Sequence, residues 1–392
     1  MRRVPALVAA CVLLAACQRS DTPTDAHSPP RWTGTEPAVV LTSETGPYRV
    51  QQLVAGLEHP WSLAFLPDGR MLVTERPGRL RSITQGGKVS APIAGVPAVY
   101  AEGQAGLLDV VVSPDFKSDR TVYLSFAEPT FRGNKAGTAV ARGRLEGAAL
   151  VDVEVVYRQE PKLSHGTHVG SRLVFDREGF LFVTHGDNRV AAESAQDLGS
   201  LVGKFVRIRP DGAVPAGNPF ADDANARPEI WSYGHRNMQG AAMHPGTGRV
   251  WTSEHGPMGG DELNIPQAGR NYGWPRVTSG LDYSGSPVPG SVGATAQGME
   301  PPHHVWQVSP GLSGMAFYTA SLLPGWKGNL FLGALASKNL IRLQLDGDKV
   351  VHEERLLGEL DHRIRDVRQG PDGALYVLTD APDGRLLRIS PP

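Results

Sequence analysis

Cysteine is scarce in this chain, with two residues in 392, so at most one disulfide can form and a disulfide-framed scaffold is excluded. Charge of one sign is also missing. Lys+Arg 39 against Asp+Glu 40 gives a formal net charge of −1, which offers no electrostatic reason to bind nucleic acid. No apolar run reaches the ~20 residues that span a bilayer as a helix. Amphipathic patterns of helical length are few. What the sequence has in quantity is glycine, 46 residues, and proline, 32 residues. That excess suits many short strands joined by tight turns, and an all-β or repeat-built fold of this length can be one unit.

The N-terminus reads Met1-Arg2-Arg3, then an apolar run from Val4 to Ala16 that ends in Leu14-Ala15-Ala16-Cys17. A basic start and a short apolar stretch make residues 1–16 a signal peptide. The small residues before Cys17 resemble the lipobox of bacterial lipoproteins. That resemblance makes Cys17 the lipidated first residue, discards Cys11 and leaves no disulfide in the mature chain. An ordinary secreted signal is the alternative, and both readings export the protein. Gln18 after the cysteine favours the outer membrane by the same resemblance. Residues 17–46, rich in Ser, Thr, Pro and Asp, read as a flexible tether.

From residue 47 to 392 the chain repeats one design: an apolar strand, a turn of the Pro-Asp-Gly kind, and a second apolar strand. It occurs six times, as AFLPDGRMLVTE (64–75), VVSPDFKSDRTVYLSF (111–126), LVFDREGFLFVTHGD (173–187), AAMHPGTGRVWTSEHG (241–256), MAFYTASLLPGWKGNLFLGA (315–334) and VRQGPDGALYVLTD (367–380). Further strands fall between the copies, among them Arg79–Ile83, Val151–Val156 and Leu340–Leu345. The pattern predicts an all-β fold, a six-bladed β-propeller of four-stranded antiparallel blades. A β-sandwich or two stacked β domains compete with it, and six regular copies argue against them.

In a propeller the innermost strands line a central channel, so residues just upstream of each copy meet at one rim. They are His59 and Trp61, then Gln104, then His168, then Arg236 and Asn237, then Ser309 and Ser313, then Arg363 and Arg365. One imidazole, amides and three guanidinium groups suit an anionic ligand and a proton transfer. Each residue alone is as easily a hydrogen-bonded or solvated rim group; their shared repeat position is what groups them. Asp187, at the end of the strand after His168, falls near the same end and can orient the imidazole. The fourth copy is the densest in polar groups and glycine: SYGHRNMQG (232–240), SEHGPMGGDELN (253–264) and GRNYGWP (269–275). Its main-chain carbonyls and carboxylates such as Glu262 are oxygen ligands suited to calcium, with neither EF-hand nor zinc spacing, although such turns are often plain loops.

Taken together, GLEHPWSLAFLPDGRMLVTER, EGQAGLLDV, HVGSRLVF…THGDN, GHRNMQG, SEHGPMGGDELN…NYGWP and RIRDV…PDGALYVLTD resemble the soluble quinoprotein sugar dehydrogenases. This is the glucose/sorbosone dehydrogenase family, especially its bacterial periplasmic aldose sugar dehydrogenase branch, and the resemblance spans residues 47–392. It implies a six-bladed propeller carrying pyrroloquinoline quinone (PQQ) and calcium, and oxidation of the C1 hydroxyl of aldoses to lactones. By position it makes His168 the general base and Asp187 its orienting partner. Gln104, Arg236 and Asn237 hold substrate and cofactor, with Arg236 beside the quinone oxygen. Lys338, Arg363 and Arg365 meet the PQQ carboxylates. Gly256 and Pro257 offer main-chain carbonyls to the cofactor-bound calcium, and Glu262 and Tyr272 match a second, structural calcium site. His255 stands near the cofactor where the glucose-specific branch has Gln, which fits broader aldose oxidation. The implied partners are an aldose, an electron acceptor that is a quinone or a cytochrome, and a membrane touched only through the N-terminal lipid. A redox-inactive carbohydrate- or protein-binding propeller and a calcium-dependent lactonase remain the alternatives, the latter against a channel set that is mostly basic.

Overall fold

The computed structural model describes residues 38–164 and 166–392. Residues 1–37, which include the segment read as a signal peptide (1–16), Cys17 and most of the segment read as a tether, lie outside the described residues. The described chain is nearly all β, with one α-helical turn, Phe116–Asp119, and three short 3-10 turns.

Six antiparallel sheets form in chain order, each begun by an inner strand: Pro60–Phe65, Leu107–Val112, Leu173–Phe175, Met238–Met243, Leu312–Phe317 and Ile364–Gln369. Inner strands of neighbouring sheets touch all the way round, the sixth against the first, so the sheets are the blades of a closed propeller. The Pro-Asp-Gly turns behave as their chemistry requires. Gly69 sits at φ 82°, where a side chain is strained, and Leu66 and Arg70 close the turn at 2.8 Å. Pro371-Asp372-Gly373 repeats this, with Gly373 at φ 80°.

Blades two to five have four strands; the first has three and the sixth five. In the first blade, the segment after Ile83 meets the sheet through the isolated pairing Ile83↔Val89, and Pro92 and Pro97 lack the N–H groups a ladder needs. In the sixth, Gly46–Leu57 pairs with the last strand Gly384–Ser390, Val50 opposite Ile389, so an early and the last strand of the described residues close the ring. The structure also corrects the end of the tether. Ala38–Ser43 is a strand on the edge of that blade, with Val39 opposite Val50 and Leu41 opposite Tyr48. Val39 and Leu41 pack against a core of Tyr48, Val50, Trp326, Phe331 and Val377 between the fifth and sixth blades, an alternation too short to stand out beside the polar residues around it. Comparable apolar clusters fill the other blade interfaces.

The channel between the inner strands is closed by buried charge. Arg172 donates to Asp366 at 3.0 Å and Asp109 at 3.4 Å, and through Nε to the Gln239 carbonyl at 3.1 Å. Arg368 donates to Asp366 at 2.9 Å and Asp109 at 3.1 Å, and the Ser62 hydroxyl donates to Asp109. Two cations and two anions thus tie five of the six blades together. Trp61 lies 4.0 Å from the Arg172 guanidinium and turns toward one mouth of the channel.

Candidate active site

Above Trp61 a cavity of about 880 Å³ opens at the end where the inner strands begin. Its wall is asymmetric. On the side of the first and sixth blades stand Arg76, Arg363 and Arg365, with Asp380 and His59 among them; on the side of the fourth and fifth stand His255, Gly256, Pro257, Asp261, Tyr283 and Ser309. Arg365 donates to Asp380 at 2.8 Å and to Gln239 at 3.2 Å, and Arg363 donates to the Leu335 carbonyl at 3.1 Å. Burial opposes ionisation of Asp380, but Arg365 beside it, with help from Arg76 and His59, holds its carboxyl well below the usual range. Three guanidinium groups against one carboxylate leave that side of the wall cationic, which favours a ligand with several carboxylates.

His168 stands in the loop that leads into the inner strand of the third blade. Its backbone is left-handed, φ 48°, and so are Gly170 and Ser171, a conformation that persists only when the surroundings enforce it. They do: Gln104 Oε1 accepts the His168 N–H at 2.9 Å, Asn188 donates to the His168 carbonyl at 3.2 Å, and Asn237 Oδ1 accepts the Gly170 N–H at 3.2 Å. Gly186 is glycine for the same reason, because a Cβ there would fall 1.9 Å from the His168 carbonyl oxygen. His168 Nδ1 bonds Asp187 Oδ1 at 2.7 Å, which leaves the Nε2 lone pair as the basic atom. Burial pulls the His168 pKa down, Asp187 pulls it back up and Arg236 opposes, so the imidazole lies below its ordinary value. Asp187 is buried too, yet His168 and Arg236 keep it ionised, below the usual carboxylate range.

Arg236 is buried, its Nη1 donating to the carbonyls of His255 at 3.1 Å and Gly256 at 2.6 Å, and its Nη2 to the Tyr283 hydroxyl at 3.4 Å. His255 donates through Nε2 to the Leu312 carbonyl, and burial lowers its pKa despite Asp261. Gln104, His255, Gly256, Pro257, Arg363 and Arg365 therefore line the cavity as the sequence suggests. Asn237 is fully buried behind the wall, where it joins the His168 loop to the fourth blade. Ser309 lines the cavity, whereas Ser313 is buried and donates to the Ile364 carbonyl at 2.7 Å. Lys338 stands off the wall, 43% exposed and paired with Asp361 at 2.9 Å. Arg76, Asp380, Gln239, Tyr283 and Trp274 were not on the rim as read from the sequence. Arg76 and Asp380 follow directly on the second strands of their blades, whereas Asp187 lies three residues beyond its own.

Of the oxygen donors, Gly256 belongs to a close-folded cradle, since a Cβ on it would lie 2.3 Å from the Gly259 and Gly260 backbone. Its carbonyl faces Arg236. Glu262 and Glu254 share the Asn264 amide, at 3.1 and 3.0 Å, while Asn264 Oδ1 is buried without a partner. Burial and the neighbouring Glu254, itself paired with His235 at 2.9 Å, push Glu262 up to about 8, as expected of a buried carboxyl beside an ionised one. The Tyr272 hydroxyl is committed to its own loop, donating to Ile265 and accepting from Gln267, so only its main chain is free to ligate. Among the described residues no three His, Cys, Asp or Glu side chains gather into one metal cluster.

Fold and site together define a class: a six-bladed propeller whose channel mouth pairs a carboxylate-oriented histidine with a cationic wall for an anionic ligand. The chain belongs to the glucose/sorbosone dehydrogenase family, whose model matches residues 57–388. It is 51% identical to the aldose sugar dehydrogenase YliI of Escherichia coli over 87% of this chain and 92% of that protein. Among solved structures, a glucose dehydrogenase superposes with a TM-score of 0.85 at 58% identity, covering 86% of this chain and 98% of its own. The PQQ-bound aldose sugar dehydrogenase of Streptomyces coelicolor superposes with a TM-score of 0.72 at 28% identity, over 90% of this chain and 98% of its own.

Proposed function

We propose that this chain is a PQQ- and calcium-dependent dehydrogenase that oxidises the C1 hydroxyl of aldose sugars to lactones. The observation that supports this most directly is the His168–Asp187 pair at 2.7 Å beside a cavity walled by three guanidinium groups. Bound there, PQQ would supply the hydride acceptor. Its three carboxylates suit Arg76, Arg363 and Arg365, and the cavity has room for both the cofactor and a sugar.

His168 takes the proton of the C1 hydroxyl at Nε2, while Asp187 fixes the tautomer and stabilises the imidazolium that forms. A pKa below the ordinary histidine value keeps the base unprotonated at neutral pH. Arg236, held by two carbonyls and Tyr283, presents fixed positive charge near the base and favours negative charge developing beside it. The oxygen set of Glu262, Glu254 and Asn264 fits a calcium ion better than Gly256 does, whose carbonyl already accepts from Arg236. The N-terminal pattern supports export and a lipid on Cys17 at the outer membrane.

The test is reconstitution. Apo-protein given PQQ and Ca²⁺ is expected to change the PQQ absorbance and to reduce a dye with glucose or another aldose. His168→Ala should keep the absorbance change and lose turnover. No spectral change and no dye reduction with any aldose refutes the proposal.

A further inference from the structure

We propose that Trp274 is a positioning residue that locks the catalytic base and the site's arginine into one unit. This rests on the reading of His168 as the base. Trp274 is 8% exposed, and its indole N–H donates to Asp187 Oδ2 at 2.9 Å. Asp187 Oδ1 is occupied by His168 Nδ1 and by the Arg189 N–H, both at 2.7 Å. The carboxylate is therefore clamped at both oxygens, and the clamp sets the plane in which the imidazole lies. The face of the same indole lies 5.1 Å from the Arg236 guanidinium. One side chain thus touches both groups that flank the reacting atoms, without being placed to touch substrate.

The loop that carries Trp274 is fastened to match. Gln196 and Asn271 exchange amide hydrogen bonds at 3.0 and 2.7 Å, and Gln196 also donates to the Trp274 carbonyl at 2.7 Å. The Trp274 N–H donates to the Gly234 carbonyl at 2.9 Å, and Gly234 has no room for a Cβ, which would lie 2.3 Å from Asn271 Oδ1. A tryptophan kept only for core packing would fill its space equally well without an N–H. Here the N–H meets a buried, ionised carboxylate.

The charged and titratable groups that face His168 are Asp187, Arg236, Arg189 and His255. The indole N–H draws charge from Asp187, so removing it concentrates that charge toward His168 and should raise the imidazole pKa. The substitution Asp187→Asn tests the contact from the other side. The new amide group must give up one bond in either orientation, because His168 and Arg189 donate at one atom and Trp274 at the other. With its oxygen kept toward His168 and Arg189, its NH₂ confronts the indole N–H, and loss of that N–H then costs nothing.

The experiment is a double-mutant cycle of Trp274→Phe and Asp187→Asn on the PQQ- and Ca²⁺-loaded enzyme. Imidazole NMR titration of His168 in the apo-protein gives a readout independent of turnover. Trp274→Phe is expected to lower kcat about tenfold, the scale of one charge-assisted hydrogen bond, with sugar KM and PQQ affinity unchanged within twofold. It should also raise the His168 pKa by about half a unit. In the Asp187→Asn background the kcat loss should disappear. If the phenylalanine variant fails to fold, benzothienylalanine in place of Trp274, which keeps the shape and lacks the N–H, replaces it. An unchanged kcat and His168 pKa, an equal loss in both backgrounds, or a parallel fall of kcat and PQQ affinity overturns the inference. Full turnover in a His168→Ala control would instead overturn the base reading, and the NMR shift then decides on its own whether Trp274 sets Asp187.

Discussion

Arg172 is the fully buried cation that spans the channel, and replacing it with Met should be among the most damaging single changes outside the site. Its guanidinium meets Asp366 at 3.0 Å, Asp109 at 3.4 Å, the Gln239 carbonyl at 3.1 Å and the face of Trp61 at 4.0 Å. Methionine fills most of the volume but leaves Asp109 and Asp366 sharing only Arg368. Removing one partner from a buried charge network costs about 3–5 kcal/mol, because the remaining charge stays in a low-dielectric site. With an unfolding entropy of roughly 2 cal/mol/K per residue, a chain of this length loses about 5 °C in Tm for that energy. Arg70→Met, which breaks the exposed Arg70–Asp68 pair at 2.7 Å, should cost less than about 0.5 kcal/mol and under ~1 °C. Asp366→Asn added to Arg172→Met restores neutrality, leaves Asp109 with Arg368 and should recover part of the loss. Calorimetry and urea melts on the four proteins decide the matter. A loss below about 1 kcal/mol in Arg172→Met, or a double variant less stable than the single, would refute the view that uncompensated charge is what the channel must avoid.

Two further expectations concern the site. Burial outweighs Asp187 in setting the His168 pKa, so the acid limb of kcat/KM should fall below the ordinary histidine value of 6.5, activity being lost as pH drops through it. Asp187→Asn should move that limb lower still, since it removes the group that stabilises the imidazolium; a limb above 6.5 in the parent contradicts the assignment. Calcium held at Glu262 and Glu254 should stabilise the fold by about 2.7 kcal/mol at a hundredfold excess over its dissociation constant. Chelation should then lower Tm by several degrees, Ca²⁺ should restore it, and Glu262→Gln should abolish the response. Equal Tm with and without chelator tells against that site.

The blades were legible because their information is local. Pro67-Asp68-Gly69 and Pro371-Asp372-Gly373 encode turns that glycine at φ 82° and 80° completes, and the apolar runs on either side are the inner and second strands. What was not legible is how the ring closes. Gly46–Leu57 pairs with Gly384–Ser390 across more than 300 positions, and nothing in either segment alone names the other. Ala38–Ser43 joins that sheet only because Gly46–Leu57 is already there to receive it, so polar composition outweighed a short alternation.

The site divides along the same line. Reading upstream of each inner strand found Gln104, Arg363 and Arg365 on the cavity wall and His168 beside it, bonded to Gln104, because one position in the repeat maps to one rim. The second strands run back to that rim, so the residues that directly follow them line it as well: Arg76 after Met71–Glu75, His255 after Val250–Glu254 and Asp380 after Leu375–Thr379; in the third blade Asp187 comes three residues after Leu181–Thr184, buried beside His168. The end of the second strand carries Asp187 in the third blade, and the same reading of the first and sixth supplies Arg76 and Asp380, the latter one of two carboxylates on the wall with Asp261. Trp274 follows neither rule. It arrives on the long segment between Asn264 and His304, outside the repeat, and only the folded chain shows it reaching from the fourth blade to the carboxylate of the third. The repeat thus supplies groups that touch a ligand, while an insertion outside it supplies the group that holds one of them still.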